Sequence, residues 1–131
     1  MNILIAEDEN VLGKVLKEEF EPEGFKVDLV RNGKEALEQI KSKFSRPDIV
    51  LLDLMMPVLN GFQVLEEIQK DESHNLKTIP IIVLSSLGQA EDIKKAMKLG
   101  ASDYFVKSQH PISEVLEKVK NFMEKGSYRE K

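Results

Sequence analysis

The chain alternates, five times over, between a short apolar run and a longer stretch of helical periodicity, and few folds accept that rhythm. Ile3-Leu4-Ile5 is followed by Leu12, Val15, Leu16 and Phe20 at helical spacing, and Pro22-Glu23-Gly24 closes this first helix. Phe25, Val27 and Leu29 alternate with Lys26 and Asp28, the pattern of an edge strand. Asn32-Gly33-Lys34-Glu35 reads as a capping box that opens a helix with Ala36, Leu37 and Ile40 inward. Ile49 to Leu52 is a continuous apolar run, which suits a strand buried on both faces. A helix follows Pro57 with Phe62, Leu65 and Ile68 on one side, and the polar stretch 71–78 is its exit loop. Pro80 to Leu84 is a second fully buried strand, and a helix carrying Ala90, Ile93 and Met97 stops at Gly100. Asp103 to Val106 is a short last strand. Ile112, Val115, Leu116, Val119, Phe122 and Met123 mark the last helix, which Gly126 is expected to end. Alternation this regular implies an α/β fold, with a parallel sheet, helices on both faces and right-handed crossovers. The second and fifth strands fall at its edges.

Composition narrows the function. With 131 residues, 41% of them hydrophobic and 32% charged, the chain has the size and balance of one folded domain. That domain is placed at residues 1–125, with 126–131 as a polar tail or the start of a linker. There is no cysteine, so disulfide scaffolds, thiolate zinc sites and cysteine nucleophiles are excluded. A net charge of -4 gives no electrostatic case for direct nucleic-acid binding or for an anionic membrane surface. The apolar runs are strand-sized, far short of a bilayer span, and the first residues lack the basic stretch of a signal peptide. A cytoplasmic location is the expectation.

Four of the five strands hand over, at their carboxyl ends, to a reactive polar group. Glu7 and Asp8 follow the first strand, Asp53 the third, Ser85 the fourth and Lys107 the fifth. In an open parallel sheet those ends converge on one crevice, where ligands bind. Carboxylates gathered there repel one another unless a cation sits among them. Oxygen donors without His or Cys suit Mg²⁺, with Mn²⁺ able to replace it. Metal, ammonium and hydroxyl together would hold a phosphoryl group, whose transfer needs little beyond positioning and charge neutralisation. Asp53 ends the most buried strand and is the best candidate to accept it as an aspartyl phosphate.

The arrangement closely resembles the response-regulator receiver family of two-component signal transduction. The resemblance is carried by Ile3-Leu4-Ile5-Ala6-Glu7-Asp8-Glu9, by Pro47-Asp48-Ile49-Val50-Leu51-Leu52-Asp53 and by Met55-Met56-Pro57 with Gly61. Pro80 to Ser86 and Gly100 to Lys107 complete it, in register from Ile3 to about Met123. It implies a flavodoxin-like, doubly wound (βα)5 three-layer sandwich with five parallel strands in the order 2-1-3-4-5. It implies that Asp53 is the phosphoacceptor, that Asp8, Asp53 and the Met55 backbone carbonyl ligate Mg²⁺, and that Glu7 acts through a water. Ser85 would hydrogen-bond the phosphoryl group, Lys107 would ion-pair with it, and Tyr104 would move with Ser85 as an aromatic switch. Met55 and Leu87 would flank the approach of the water that removes the phosphoryl group. The implied donor is a histidine kinase or a histidine phosphotransfer protein. The implied output is a protein target that reads the fourth helix, fifth strand and fifth helix.

Taken singly, each residue has a plainer use. Asp8 or Asn10 would cap the first helix, Ser85 or Ser86 the fourth, and Lys107 would be a solvated charge. Their joint occurrence in register argues against that. His74 and His110 read as exposed bystanders, and Lys94, Lys95 and Lys98 as the wet face of a helix. Two rivals share the sheet. An aspartate-nucleophile phosphatase of the haloacid dehalogenase type would need two aspartates separated by one residue where Glu7-Asp8-Glu9 stands. A flavin-binding module would need a hydroxyl- and glycine-rich phosphate loop there. The chain also departs from the receiver pattern. Ser108 replaces the usual proline after the lysine, which leaves a trans bond or a strained cis one. The acidic pair is Glu-Asp instead of Asp-Asp. No helix-turn-helix or catalytic module fits after Lys125, so the chain is expected to be a stand-alone receiver or part of a larger regulator.

Overall fold

The computed structural model describes residues 1–129, with side chains described through Lys125. Five parallel strands, β1 (Asn2–Ala6), β2 (Lys26–Val30), β3 (Ile49–Leu52), β4 (Ile81–Ser85) and β5 (Asp103–Val106), pair in the order β2-β1-β3-β4-β5. Between and after them run α1 (Asn10–Phe20), α2 (Gly33–Lys41), α3 (Gly61–Lys70), α4 (Ala90–Lys98) and α5 (Ile112–Arg129). The two edge strands are as the sequence pattern predicts, and the doubly wound three-layer sandwich and strand order are as the resemblance implies.

Strand residues point alternately to the two faces, so each central strand feeds two cores. Ile3, Ile5, Ile49, Leu51, Ile82 and Leu84 pack with Leu16 and Phe20 of α1 and with Val115 and Val119 of α5. Leu4, Val50, Leu52, Ile81 and Val83 face α2, α3 and α4. That is why β3 and β4 read as unbroken apolar runs. The helix α4 is held least firmly, with Ala96 its one buried residue. Lys95 Nζ sits 4.4 Å from the centre of the Phe62 ring, and Gln69 donates to the Leu99 carbonyl at 2.9 Å, which ties α4 to α3.

Several local expectations need correction. Gly126 does not end α5, which runs on to Arg129. A glycine inside a helix costs about 1 kcal/mol, too little to break one already docked through several turns. At α2 the capping box is half made: Asn32 accepts from the Glu35 backbone at 2.8 Å, but Glu35 accepts from Arg31 instead of Asn32. The reciprocal box lies at α3, between Asn60 and Gln63. The stretch 71–78 is not simply a polar loop, because it contains a 3₁₀ turn, Leu76–Thr78, with Leu76 fully buried. Neither histidine is fully exposed, and each meets an acid. His74 Nδ1 lies 2.9 Å from Asp71 Oδ2, and His110 meets Glu114 at 3.1 Å and packs edge-on against Phe105. The expected polar tail lies outside the described residues at 130–131, and from residue 126 its side chains do too.

Candidate functional site

The sheet ladder continues one residue past three strand ends, and this places the site. Glu7 N–H donates to the Val30 carbonyl, Asp53 N–H to Ala6 at 3.0 Å and Lys107 N–H to Ser85 at 2.8 Å. The backbone beneath each functional side chain is thus as fixed as a strand. Gly61 sets the exit from β3. A Cβ there would stand 2.5 Å from the Asp53 carbonyl oxygen, so only glycine lets α3 start so close to the acidic strand end.

Glu7, Asp8 and Asp53 each bring a carboxylate oxygen within 4.8 Å of one another. Asp53 is 3% exposed and Glu7 2%, whereas Asp8 faces solvent. Lys107 sits among the acids, its Nζ 2.6 Å from Glu9, 2.9 Å from Glu7 and 3.1 Å from Asp53. The other Asp53 oxygen accepts from the Met55 backbone N–H at 3.2 Å. Burial and the nearby Asp53 charge push Glu7 up to about 7, although Lys107 and the Glu9 N–H act against the rise. For Lys107 burial pulls downward, but Glu9, Glu7 and Asp53 outweigh it and raise the ammonium above its ordinary value. It stays charged.

Ser85 is fully buried at the end of β4, where its Oγ accepts from the Leu87 N–H at 3.2 Å. The Tyr104 hydroxyl donates to the Leu87 carbonyl. Burial raises the Tyr104 phenol above its usual value, and the Ser85 hydroxyl partly offsets this. A crevice of about 710 Å³ opens over the site, lined by Asp8, Asp53, Met55, Phe62, Leu87 and Lys107, among others. The structure therefore brings every residue singled out from the sequence to one end of the sheet, with Ser85 and Tyr104 beneath the β4–α4 loop.

The plainer capping roles are not taken up. The N-cap positions of α1 and α4 are Glu9 and Gln89, and neither helix has a side-chain cap. The Lys107–Ser108 bond is trans, and the Gln109 and His110 N–H groups both turn back to the Val106 carbonyl. Sequence reasoning missed Glu9. The acid stood in the motif, but its contact with a lysine 98 positions away is set by the fold alone.

Residues 3–120 match the response regulator receiver domain family, and the chain belongs to it. Among curated relatives, it is 38% identical over 109 residues to the probable transcriptional regulator ycf27 of Guillardia theta, covering 83% of this chain and 40% of that protein. The chain spans about half the length of the curated relatives it matches. Among solved structures, the receiver domain of Francisella response regulator 1452 superposes with a TM-score of 0.84 at 30% identity, covering 95% of this chain and 97% of that one. The Mn²⁺-bound form of response regulator Rcp1 superposes with a TM-score of 0.76 at 25% identity, covering 92% and 90%. This is a signalling domain of the two-component class. No helix among the described residues is long and apolar enough to cross a membrane.

Proposed function

We propose that this receiver accepts a phosphoryl group on Asp53 from a histidine kinase or histidine phosphotransfer protein and presents a changed surface to a target. One observation carries the reading: Asp53, buried at the end of β3, lies 3.1 Å from the Lys107 ammonium and beside two further carboxylates. In the transfer, an Asp53 carboxylate oxygen forms a bond to phosphorus as the donor's nitrogen–phosphorus bond breaks, and the electron pair leaves with the imidazole. Lys107 offers its charge to the phosphoryl oxygens, and the Ser85 hydroxyl offers a donor. Small donors such as acetyl phosphate would serve as well.

The donor set fits a hard divalent cation, Mg²⁺ or Mn²⁺, since three carboxylates converge within 4.8 Å of one another with no His or Cys in the cluster. Asp8, Asp53 and the Met55 carbonyl would hold it, and the ion would neutralise charge on the phosphoryl oxygens. Glu7 is already ion-paired with Lys107 and accepts from the Glu9 N–H, which suits a role through a water better than direct ligation. A titration by Mn²⁺ is in keeping with Rcp1, whose structure holds that ion.

The target surface would be α4, β5 and α5, reached through Leu87 and Tyr104. The Guillardia relative is named a transcriptional regulator. For this chain, the output would act through a protein contact or another part of a longer protein, in the cytoplasm, and not by direct DNA binding. Incubation with acetyl phosphate should add one phosphoryl mass only when Mg²⁺ is present, and Asp53→Asn should abolish it. Equal labelling of that variant, mapped to another residue, would sink the assignment.

A further inference from the structure

We infer that Glu9 is a positioning residue that competes with the phosphoryl group for Lys107, and so limits how tightly the site holds its acyl phosphate. The inference rests on the phosphoacceptor reading and adds to it a residue with no assigned part. A lysine ammonium has three N–H donors and no acceptor. Here it has three carboxylate partners, at 2.6 Å (Glu9), 2.9 Å (Glu7) and 3.1 Å (Asp53). Two of these contacts are hydrogen bonds, to Glu9 and Asp53, and the third is a close ion pair, so the ammonium is enclosed by carboxylates and turns fully to an anionic oxygen arriving at Asp53 only if one of them lets go.

The partners differ in what release costs. Asp53 carries the incoming group itself. The Glu7 side chain is 2% exposed, so water cannot replace the ammonium there, and its ionised form would be left as an uncompensated buried charge. The Glu9 side chain is 59% exposed and can exchange Lys107 for water at little cost. Glu9 also occupies the N-cap position of α1 without capping it. Its carboxylate is turned across the mouth of the site instead. Glu9 is the partner that yields, and its pull on Lys107 is the part of the phosphoryl contact the protein must give up.

Beryllofluoride, a mimic of the acyl phosphate, tests this when titrated into the full chain with the Asp53 amide resonance as the readout. Mg²⁺ is held at saturation established for each variant, because losing the Glu9 charge also weakens attraction for the cation. Glu9→Gln should bind beryllofluoride about two- to fivefold more tightly than wild type, the scale of one exposed ion pair. Glu9→Asp, which keeps the charge one methylene further back, should fall between. Glu19→Gln is the control for net charge, since it lies about 15 Å along α1 from Glu9 and should behave as wild type. In the metal-free protein the Lys107 Nζ resonance should move in Glu9→Gln but not in Glu19→Gln, a change that general loosening of the fold would not confine to one lysine. Equal or weaker beryllofluoride binding by Glu9→Gln overturns the inference. Failure of the wild-type protein to bind beryllofluoride at Asp53 would instead overturn the phosphoacceptor reading, and this inference with it.

Discussion

The Tyr104 hydroxyl donates to the carbonyl oxygen of Leu87 at 2.5 Å, fastening the loop between β4 and α4 to the edge strand β5. The same loop is held from below by the buried Ser85 Oγ, which accepts from the Leu87 N–H. One residue thus joins the Ser85 hydroxyl to the half-buried Tyr104 ring of β5. The two contacts use the successive peptide groups on either side of the Leu87 Cα. Tyr104→Phe removes the donor and keeps the ring, at a cost of about 1 kcal/mol for the local contact. Amide exchange at Leu87 to Gln89 should quicken about fivefold, while Ile82 to Leu84 in β4 keep their protection. Unchanged exchange in the loop would mean that Tyr104 does not restrain it.

Glu7 makes the metal-free protein sensitive to pH in a defined direction. Burial first, then the Asp53 charge, raises its carboxyl from 4.5 to about 7 in the folded state. Between those values the folded chain holds a proton that the unfolded chain has released. Stability from this group is therefore complete below the unfolded value and is lost as pH rises through about 7. In chelator, wild type should lose on the order of 2–3 kcal/mol more than Glu7→Gln between pH 5 and pH 8, as measured by urea unfolding. Parallel curves for the two proteins would show that Glu7 keeps its ordinary acidity.

Val58 has φ 69°, and the Leu59 N–H donates to the Pro57 carbonyl at 2.8 Å, closing a three-residue γ-turn. A β-branched residue is poorly suited to the left-handed region, where the strain is about 1–2 kcal/mol. Its side chain is exposed, so nothing packed is lost on removing it. Val58→Gly should relieve the strain, less about 0.4–1 kcal/mol for the greater freedom of glycine in the unfolded chain. The net expectation is a gain of roughly 0.5–1 kcal/mol in urea unfolding. A loss of stability would show that the turn is not strained at this residue.

The fold was legible because two-faced burial writes itself as continuous apolar runs, at Ile49 to Leu52 and Ile81 to Leu84. The strand ends were legible for the same reason, since Asp53 and Ser85 interrupt those runs. What depended on pairing across the fold was not. Glu9 and Lys107 meet only because β1 and β5 finish at the same end of the sheet. Asp71 reads as a loop residue, yet it binds His74 and the Ser73 N–H in an ordered turn. A capping box needs the backbone direction as well as the spacing. Asn60 and Gln63 satisfy both, whereas Glu35 points one residue too far back. Gly126 shows the opposite failure, in which a local stop signal is overridden by the packing of the turns before it.

Met55 and Leu87 line the crevice beside Asp53, Met55 at 54% exposure and Leu87 half-buried. Hydrolysis of an aspartyl phosphate needs a water in line with the bond that breaks, on the crevice side. Neither apolar side chain is suited to orient that water, and from the crevice wall their bulk would restrict its approach. Positioning supplies most of the catalysis in phosphoryl transfer, so a site without it should keep its acyl phosphate for longer. Two substitutions reverse the chemistry while leaving the Met55 N–H that holds Asp53 in place. Met55→Asn with Leu87→Glu puts an amide and a carboxylate on either side of the water's path. Phosphate release after removal of the donor should then accelerate about tenfold or more over wild type, short of the roughly 10²–10⁴-fold that a fully positioned acid–base group contributes. A decay rate equal to wild type, in a double variant labelled to the same extent, would show that these two side chains do not govern the water.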